Sequence, residues 1–217
     1  MSEDILIRPY EARDREAVRQ ICCDTADRGH PIDGYFQDRE VFADLVTSYY
    51  TDYEPSSTWI AESDGRVIGY LTGCLSTRRY WKIMSWRITP RSIFKAIYRG
   101  NLLLRQTWRV LRAIAKTCVR GGFCRHIPHG RYPGHLHVNV RGGFRGHQVG
   151  SRLVERFCEQ AKAAGLQGVY ASVRGDNPLA QEFFEQMGFT VLSRHVMVRA
   201  LQDMEQTSDT VVYGKRF

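Results

Sequence analysis

The stretch VNVRGGFRGHQVGSRLVERFCEQA, residues 138–161, constrains this chain more than any other. An alternating apolar run ends at Val140, a turn carrying Gly142, Gly143, Gly146 and Gly150 follows, and an amphipathic segment begins near Gly150. Val149, Leu153, Phe157 and Ala161 recur at i+4, with Val154, Cys158 and Ala164 widening the apolar face, which predicts a helix. A strand, a glycine turn and a helix start together form an anion site in principle. The first helical N–H groups lack partners, the helix dipole adds positive potential, and glycines let a phosphate approach the backbone. The glycines do not fall as G-x-G-x-x-G and no G-K-[ST] follows, which excludes the dinucleotide and Walker loops. A plain strand-to-helix connection would use the same residue types.

The segment LHVNVRGGFRGHQVGSRLVE resembles the central motif of the GNAT acetyltransferase superfamily, [RQ]-x-x-G-x-[GA] after a strand. Arg145, Gly146, His147, Gln148, Val149 and Gly150 fill its places, with Gln148 standing where the family has glycine. Downstream, VYASVRGDNPLAQEFFEQMGFTVL resembles the second motif of the same superfamily, a strand, an Asn, then A-x-x-[FL]-Y-E-x-x-G-F. Asn177 suits a helix cap and Pro178 a first turn; Ala180, Phe183, Phe184 and Met187 then form a helical face that Gly188 stops. The family's Tyr, which commonly protonates the departing CoA thiolate, is Phe184 here, and phenylalanine cannot do so. The details IRPY, ICCDTADRG and YPGHLHVNV are further similar to the acetyltransferase-like domain of O-GlcNAcases and their bacterial relatives.

The resemblance implies an α+β fold layered α/β/α: a mixed, mostly antiparallel sheet of about six to seven strands whose central strands splay, here with a helical insertion. The rest of the chain reads in that order. Residues 5–8 form a first strand, Val18, Ile21 and Cys22 mark a helix after Asp14, and Val41, Phe42, Leu45, Val46 and Tyr49 a second. A hairpin turns at Asp64–Gly65, and VMVRAL and TVVYGKRF make a closing pair. A length of 217 residues suits one domain, 1–217, with the insertion at about 80–131.

The resemblance also implies acetyl-CoA as cosubstrate and acetyl transfer to a primary amine by direct attack in a ternary complex. Val138 and Val140 would supply backbone groups to the pantetheine. Arg145 to Ser151 (Arg145, Gly146, His147, Gln148, Val149, Gly150 and Ser151) would hold the pyrophosphate, Asn177 would reach the cofactor, and Phe184 would stand beside the sulfur. His137 and Asn139 would then face the other side of the strand, and His137 is the best base by intrinsic pKa. A satisfied strand histidine is the competing reading of His137. Gln148 and Phe184 also keep open a catalytically impaired relative that binds acetyl-CoA and serves as an interaction module.

Charge is concentrated. Residues 1–64 carry 6 Lys/Arg and 15 Asp/Glu, whereas residues 65–154 carry 18 basic residues and no acid. Acetyl-CoA accounts for Arg141 and Arg145 but not for a dozen basic residues from Lys82 to Arg131. RSIFKAIYRGNLLLRQTWRVLRAIAKTCVRGG predicts two helices broken at Gly100, the second with an apolar stripe of Leu104, Trp108, Leu111, Ala115 and Cys118 flanked by Arg105, Arg109, Arg112, Lys116 and Arg120. Two readings stand: the stripe packs on the domain beneath solvated arginines, or the insertion forms a basic cover that recruits an anionic acceptor, membrane or nucleic-acid surface. A second copy of the chain is a further candidate partner.

Cys22 and Cys23 are adjacent and no disulfide framework emerges from the six cysteines, which suits buried thiols in the cytoplasm. MSEDILIRPY is not a signal peptide, and no apolar run approaches a membrane span of about 20 residues. Cys118, Cys124, His126, His129, His135 and His137 cluster, but C-x5-C-x-H-x2-H is not a usual zinc spacing, and no metal is expected. His195 reads as a structural strand histidine.

Overall fold

The computed structural model describes residues 5–34, 38–119, 127–200 and 205–217. Seven strands form one sheet: β1 (Leu6–Pro9), β2 (Thr58–Ser63), β3 (Arg66–Cys74), β4 (Gly134–Val140), β5 (Gly168–Arg174), β6 (Thr190–Ala200) and β7 (Glu205–Arg216), in the order β1-β2-β3-β4-β5-β7-β6. Every neighbouring pair is antiparallel except β4 and β5. The mixed, layered sheet expected from the motifs is therefore present. One detail differs: Thr190 to Leu192 and Val196 to Ala200 belong to a single strand, β6, and β7 returns between it and β5.

Two helices cover one face. In α1 (Arg15–Thr25) the spacing of Val18, Ile21 and Cys22 puts all three against Ile60 and Tyr70 of the hairpin. Alongside it, α2 (Arg39–Ser48) starts at Asp38, whose Oδ1 accepts from the N–H groups of Glu40 and Val41 at 3.1 Å each. The other face holds α6 (Val149–Ala163), which buries Val149, Leu153, Val154, Phe157, Cys158 and Ala161 against Leu71, Leu136 and Ala171; Ala164 lies outside that face, as the helix's C-cap. Beside it α7 (Pro178–Gln186) opens with Asn177 as cap, Pro178 at the first position, and Gly188 in the left-handed region after its end.

Three more helices lie between β3 and β4: α3 (Thr77–Ile83), α4 (Thr89–Tyr98) and α5 (Arg105–Val119), with Gly100 (φ +72°) breaking the last two apart as expected. Of the two readings of this segment, the one that packs the apolar stripe on the domain is not met. The stripe of α5 is exposed: Trp108 at 60% and Leu111 at 44%, with Leu104 and Ala115 also exposed. The small residues Ala113 and Thr117 turn inward instead, because they let the helix approach closely, and the Thr117 hydroxyl is satisfied by Ala113 O at 2.9 Å. The side chain of Cys118, and Arg120, Cys124 and His126, lie outside the described residues.

The basic charge of α4 is used inside the molecule. Lys95 Nζ meets Asp44 at 2.6 Å and Glu40 at 3.5 Å. Arg99 Nε donates to Asp38 Oδ2 at 2.6 Å, and Asn101 Nδ2 joins it at 2.8 Å. The acidic first third of the chain thus neutralises part of the basic middle third. Burial pulls the Asp38 carboxyl upward, but the donors Asn101 and Arg99 outweigh it and hold the group below the usual aspartate range.

Candidate active site

The site is built where β4 leaves β5. These two strands pair only over Gly134↔Val169, His135↔Tyr170 and Leu136↔Ala171, whereas β3 stays paired with β4 through Val140. Arg141 N–H reaches Ile68 O at 2.9 Å, so by strand alternation the odd-numbered residues of β4 point their backbone groups at β3. The N–H and C=O groups of Val138 and Val140 therefore point to the opposite edge, from which β5 has diverged. Their side chains pack toward the α6 core, which fixes the strand while leaving that edge open. An extended polar chain can add to such an edge as a further strand would.

The turn after β4 leads directly into α6. Gly142, Gly143 and Gly146 each face open space where a side chain would project, and Gly146 needs φ +83°. Gln148 sits at φ +58°, a left-handed conformation that costs a side-chain-bearing residue about 1 kcal/mol and suits the glycine its place usually holds. The first backbone bond of α6 runs from Arg152 N–H to Gln148 O at 3.0 Å, and no side chain caps the helix start. The N–H groups of Val149, Gly150 and Ser151 thus precede the hydrogen-bonded ladder, and the first turn contains no acidic residue. The turn thus places uncapped N–H groups beside the strand edge that β5 leaves. Gly150 also has a packing role, since a Cβ there would lie 3.3 Å from the Phe183 ring.

Other expected residues are placed as follows. Arg145 Nε donates to Val140 O at 3.4 Å, and its guanidinium lies so close over Gly29 that a Cβ there would be 2.1 Å away. His147 Nδ1 is 3.1 Å from Arg145 O on the exposed loop. Asn177 Oδ1 accepts from Ala180 N–H at 3.2 Å, so its carbonyl oxygen serves the helix. Phe184 is a core residue, 6% exposed and packed against Phe183, Phe189 and Tyr213, so the structure puts its ring in the α7 core.

His135, His137 and Asn139 share the face of β4 opposite α6. His137 is exposed, its ring 5.9 Å from Tyr50 and 5.8 Å from His135. Beneath it, buried His135 is held on both nitrogens, Nε2 by the Tyr50 hydroxyl at 2.8 Å and Nδ1 by Thr77 Oγ1 at 2.9 Å. Asn139 Nδ2 donates to the buried Tyr70 hydroxyl at 2.8 Å. Sequence reasoning did not find Tyr50, Tyr70 or Thr77. They reach β4 from three separate elements, and only the odd-numbered parity of His135, His137 and Asn139 hinted that one polar row existed. His195 is bonded within β6 to Ser193 Oγ at 2.9 Å.

Among the described residues no three His, Cys, Asp or Glu side chains converge as metal ligands do, and no helix is long and apolar enough to cross a membrane. Cys22, Cys23, Cys74 and Cys158 are buried free thiols; burial pushes Cys22 up to about 12 and Cys158 to about 11, which keeps both protonated.

Residues 111–189 match the sequence model of the acetyltransferase (GNAT) family. The fold is similar to that of SsHAT, at 23% identity with 98% of each chain covered and a TM-score of 0.70. It is similar as well to an N-acetyltransferase from Staphylococcus aureus Mu50, at 15% identity, 98% of each chain and a TM-score of 0.61. A third likeness is to yncA from Salmonella typhimurium, solved with its cofactor acetyl-CoA, at 15% identity over 98% of this chain and 93% of that one, with a TM-score of 0.55.

Proposed function

We propose that this chain, which carries a GNAT acetyltransferase domain on a GNAT fold, transfers an acetyl group from acetyl-CoA to a primary amine bound on the α1–α2 side of β4. The single observation that carries the reading is the junction of two open backbone surfaces, the free edge of Val138 and Val140 and the uncapped start of α6. A pantetheine fits the first, because its amides need an extended donor–acceptor edge. A diphosphate fits the second, because Val149, Gly150 and Ser151 offer N–H groups in a positive field. Acetyl-CoA supplies the thioester whose carbonyl an amine attacks.

The chain's own residues would do the remaining work. An amine acceptor is protonated in water and must lose that proton before it attacks. His137 is exposed on the acceptor face and can take it, directly or through water. His135, Tyr50 and Thr77 fix the floor under that ring, and Tyr70 holds Asn139 in place. Arg145 Nε takes one lone pair of Val140 O at 3.4 Å, which leaves the second for a ligand chain.

Phe184 favours a second reading, a relative that binds acetyl-CoA without efficient turnover, since a ring in the core supplies no acid for the thiolate. Turnover across a panel of small amines and lysine peptides separates the two. On the first reading kcat/KM falls on the acid side, and His137→Ala flattens that limb and lowers kcat about 100-fold while acetyl-CoA affinity is kept. Acetyl-CoA binding with no acetylated product from any amine selects the second reading.

A further inference from the structure

Helix α4 is mounted with its amphipathicity reversed. Its inward face is polar: Ser92 is buried, Lys95 is paired with Asp44, and Arg99 with Asp38. Its outward face is apolar. Ile93, Phe94, Ile97 and Tyr98 are 53%, 72%, 51% and 85% exposed, and Trp86, one turn before the helix, is 81% exposed. At 100° per residue the four α4 side chains form one continuous stripe, and Trp86 lies in the π-helical turn Met84–Ile88 that precedes it. Exposed Arg91 on α4 and Arg87 just before it border that stripe, while Lys95 and Arg99 face inward. Exposed aromatic and aliphatic residues of this size, set side by side, mark an interaction surface.

We propose that this face docks on an anionic lipid surface. Ile93, Phe94, Ile97 and Tyr98 would enter the headgroup boundary, Trp86 would sit at the interface, and the exposed Lys82 and Arg87 side chains would extend to lipid phosphates. The charge pattern selects this occupant. Residues 65–154 contain no acid to pair with a second copy of themselves, so a symmetric dimer through this face would bring like charges together. A nucleic acid would use the cations and leave Ile93 and Ile97 in water. Lys82, Arg87 and Arg105 are exposed and have no carboxylate partner among the described residues. The proposal does not depend on acetyl transfer.

The test is flotation of the full chain, without acetyl-CoA, with vesicles of phosphatidylcholine alone and of phosphatidylcholine with roughly 30% phosphatidylserine. Binding is expected to the anionic vesicles, at least about tenfold tighter than to neutral ones and weakened by salt. Phe94→Asp/Ile97→Asp should abolish it with an unchanged circular dichroism spectrum, and Lys82→Glu/Arg87→Glu should weaken it. Three outcomes overturn the proposal: a chain that stays in the soluble fraction with anionic vesicles, a Phe94→Asp/Ile97→Asp variant that still floats, or wild type that binds neutral vesicles equally. A dimer in gel filtration that Phe94→Asp/Ile97→Asp dissociates, without flotation, would assign the face to a second copy. RNA binding lost in the same variant, without flotation, would assign it to nucleic acid.

Discussion

The glycine loop at residues 141–151 and the helical segment α3–α5 at residues 77–119 both carry arginines, yet their charge does different work. In the insertion, Lys95 and Arg99 close on Asp44 and Asp38, so these side chains are fastening α4 to α2. In the loop the positive field comes mainly from the backbone, from N–H groups at the start of α6 that no side chain caps. The cation count of the middle third therefore overstates its role in ligand binding. A site for a polyanion is marked by unsatisfied donors held in one geometry, and a run of lysines and arginines can be structural.

The largest effect should come from cutting the fastening. Asp38→Ala removes a helix cap and leaves Arg99 and Asn101 without their shared acceptor, at a cost of about 2–3 kcal/mol in a urea melt at neutral pH. The folded-state pKa of Asp38 is depressed, so its stabilisation is present above the unfolded value and is lost as pH falls through the folded one. The gap between wild type and variant should thus close below about pH 4. Acetyl-CoA binding should be untouched.

Next, Ser151→Glu puts a carboxylate in the first turn of α6. A Glu there suits the helix dipole and should raise stability by about 0.3–1 kcal/mol, while it occupies the N–H groups and repels phosphate, weakening acetyl-CoA about 30-fold by calorimetry. Opposite signs for folding and binding are what separate a ligand site from a merely structural turn. A parallel change in both would erase the contrast between the two regions. The smallest effect is Gln148→Gly, which relieves the φ +58° strain and should raise stability by about 1 kcal/mol with acetyl-CoA affinity equal or better.

How much of this was legible in the sequence follows the same division. The loop, its strand and both flanking helices could be read because local chemistry fixes them: Gly146 tolerates a positive φ, Asn177 and Pro178 start a helix, and i+4 apolar spacing builds α6. The break at Gly100 was readable for the same reason. The orientation of the insertion was not. A strong amphipathic pattern shows that α4 and α5 have two faces, not which one turns inward. That choice was made by Asp38 and Asp44, 61 and 51 residues upstream of the Arg99 and Lys95 they hold, and by the small size of Ala113 and Thr117. The polar row under His137 was hidden likewise, since Tyr50 and Thr77 meet His135 only after the sheet has formed.

The central claim is that acetyl-CoA binds on backbone groups of β4 and α6, and it is tested most directly by amide chemical shifts of the 15N-labelled chain on titration with acetyl-CoA. The account predicts that the N–H signals of Val138, Val140, Val149, Gly150 and Ser151 move most and become protected from exchange, while those of α4 stay in place. Saturation by acetyl-CoA with Val138, Val140 and the first turn of α6 unmoved, or with the largest shifts in the basic insertion, would contradict it.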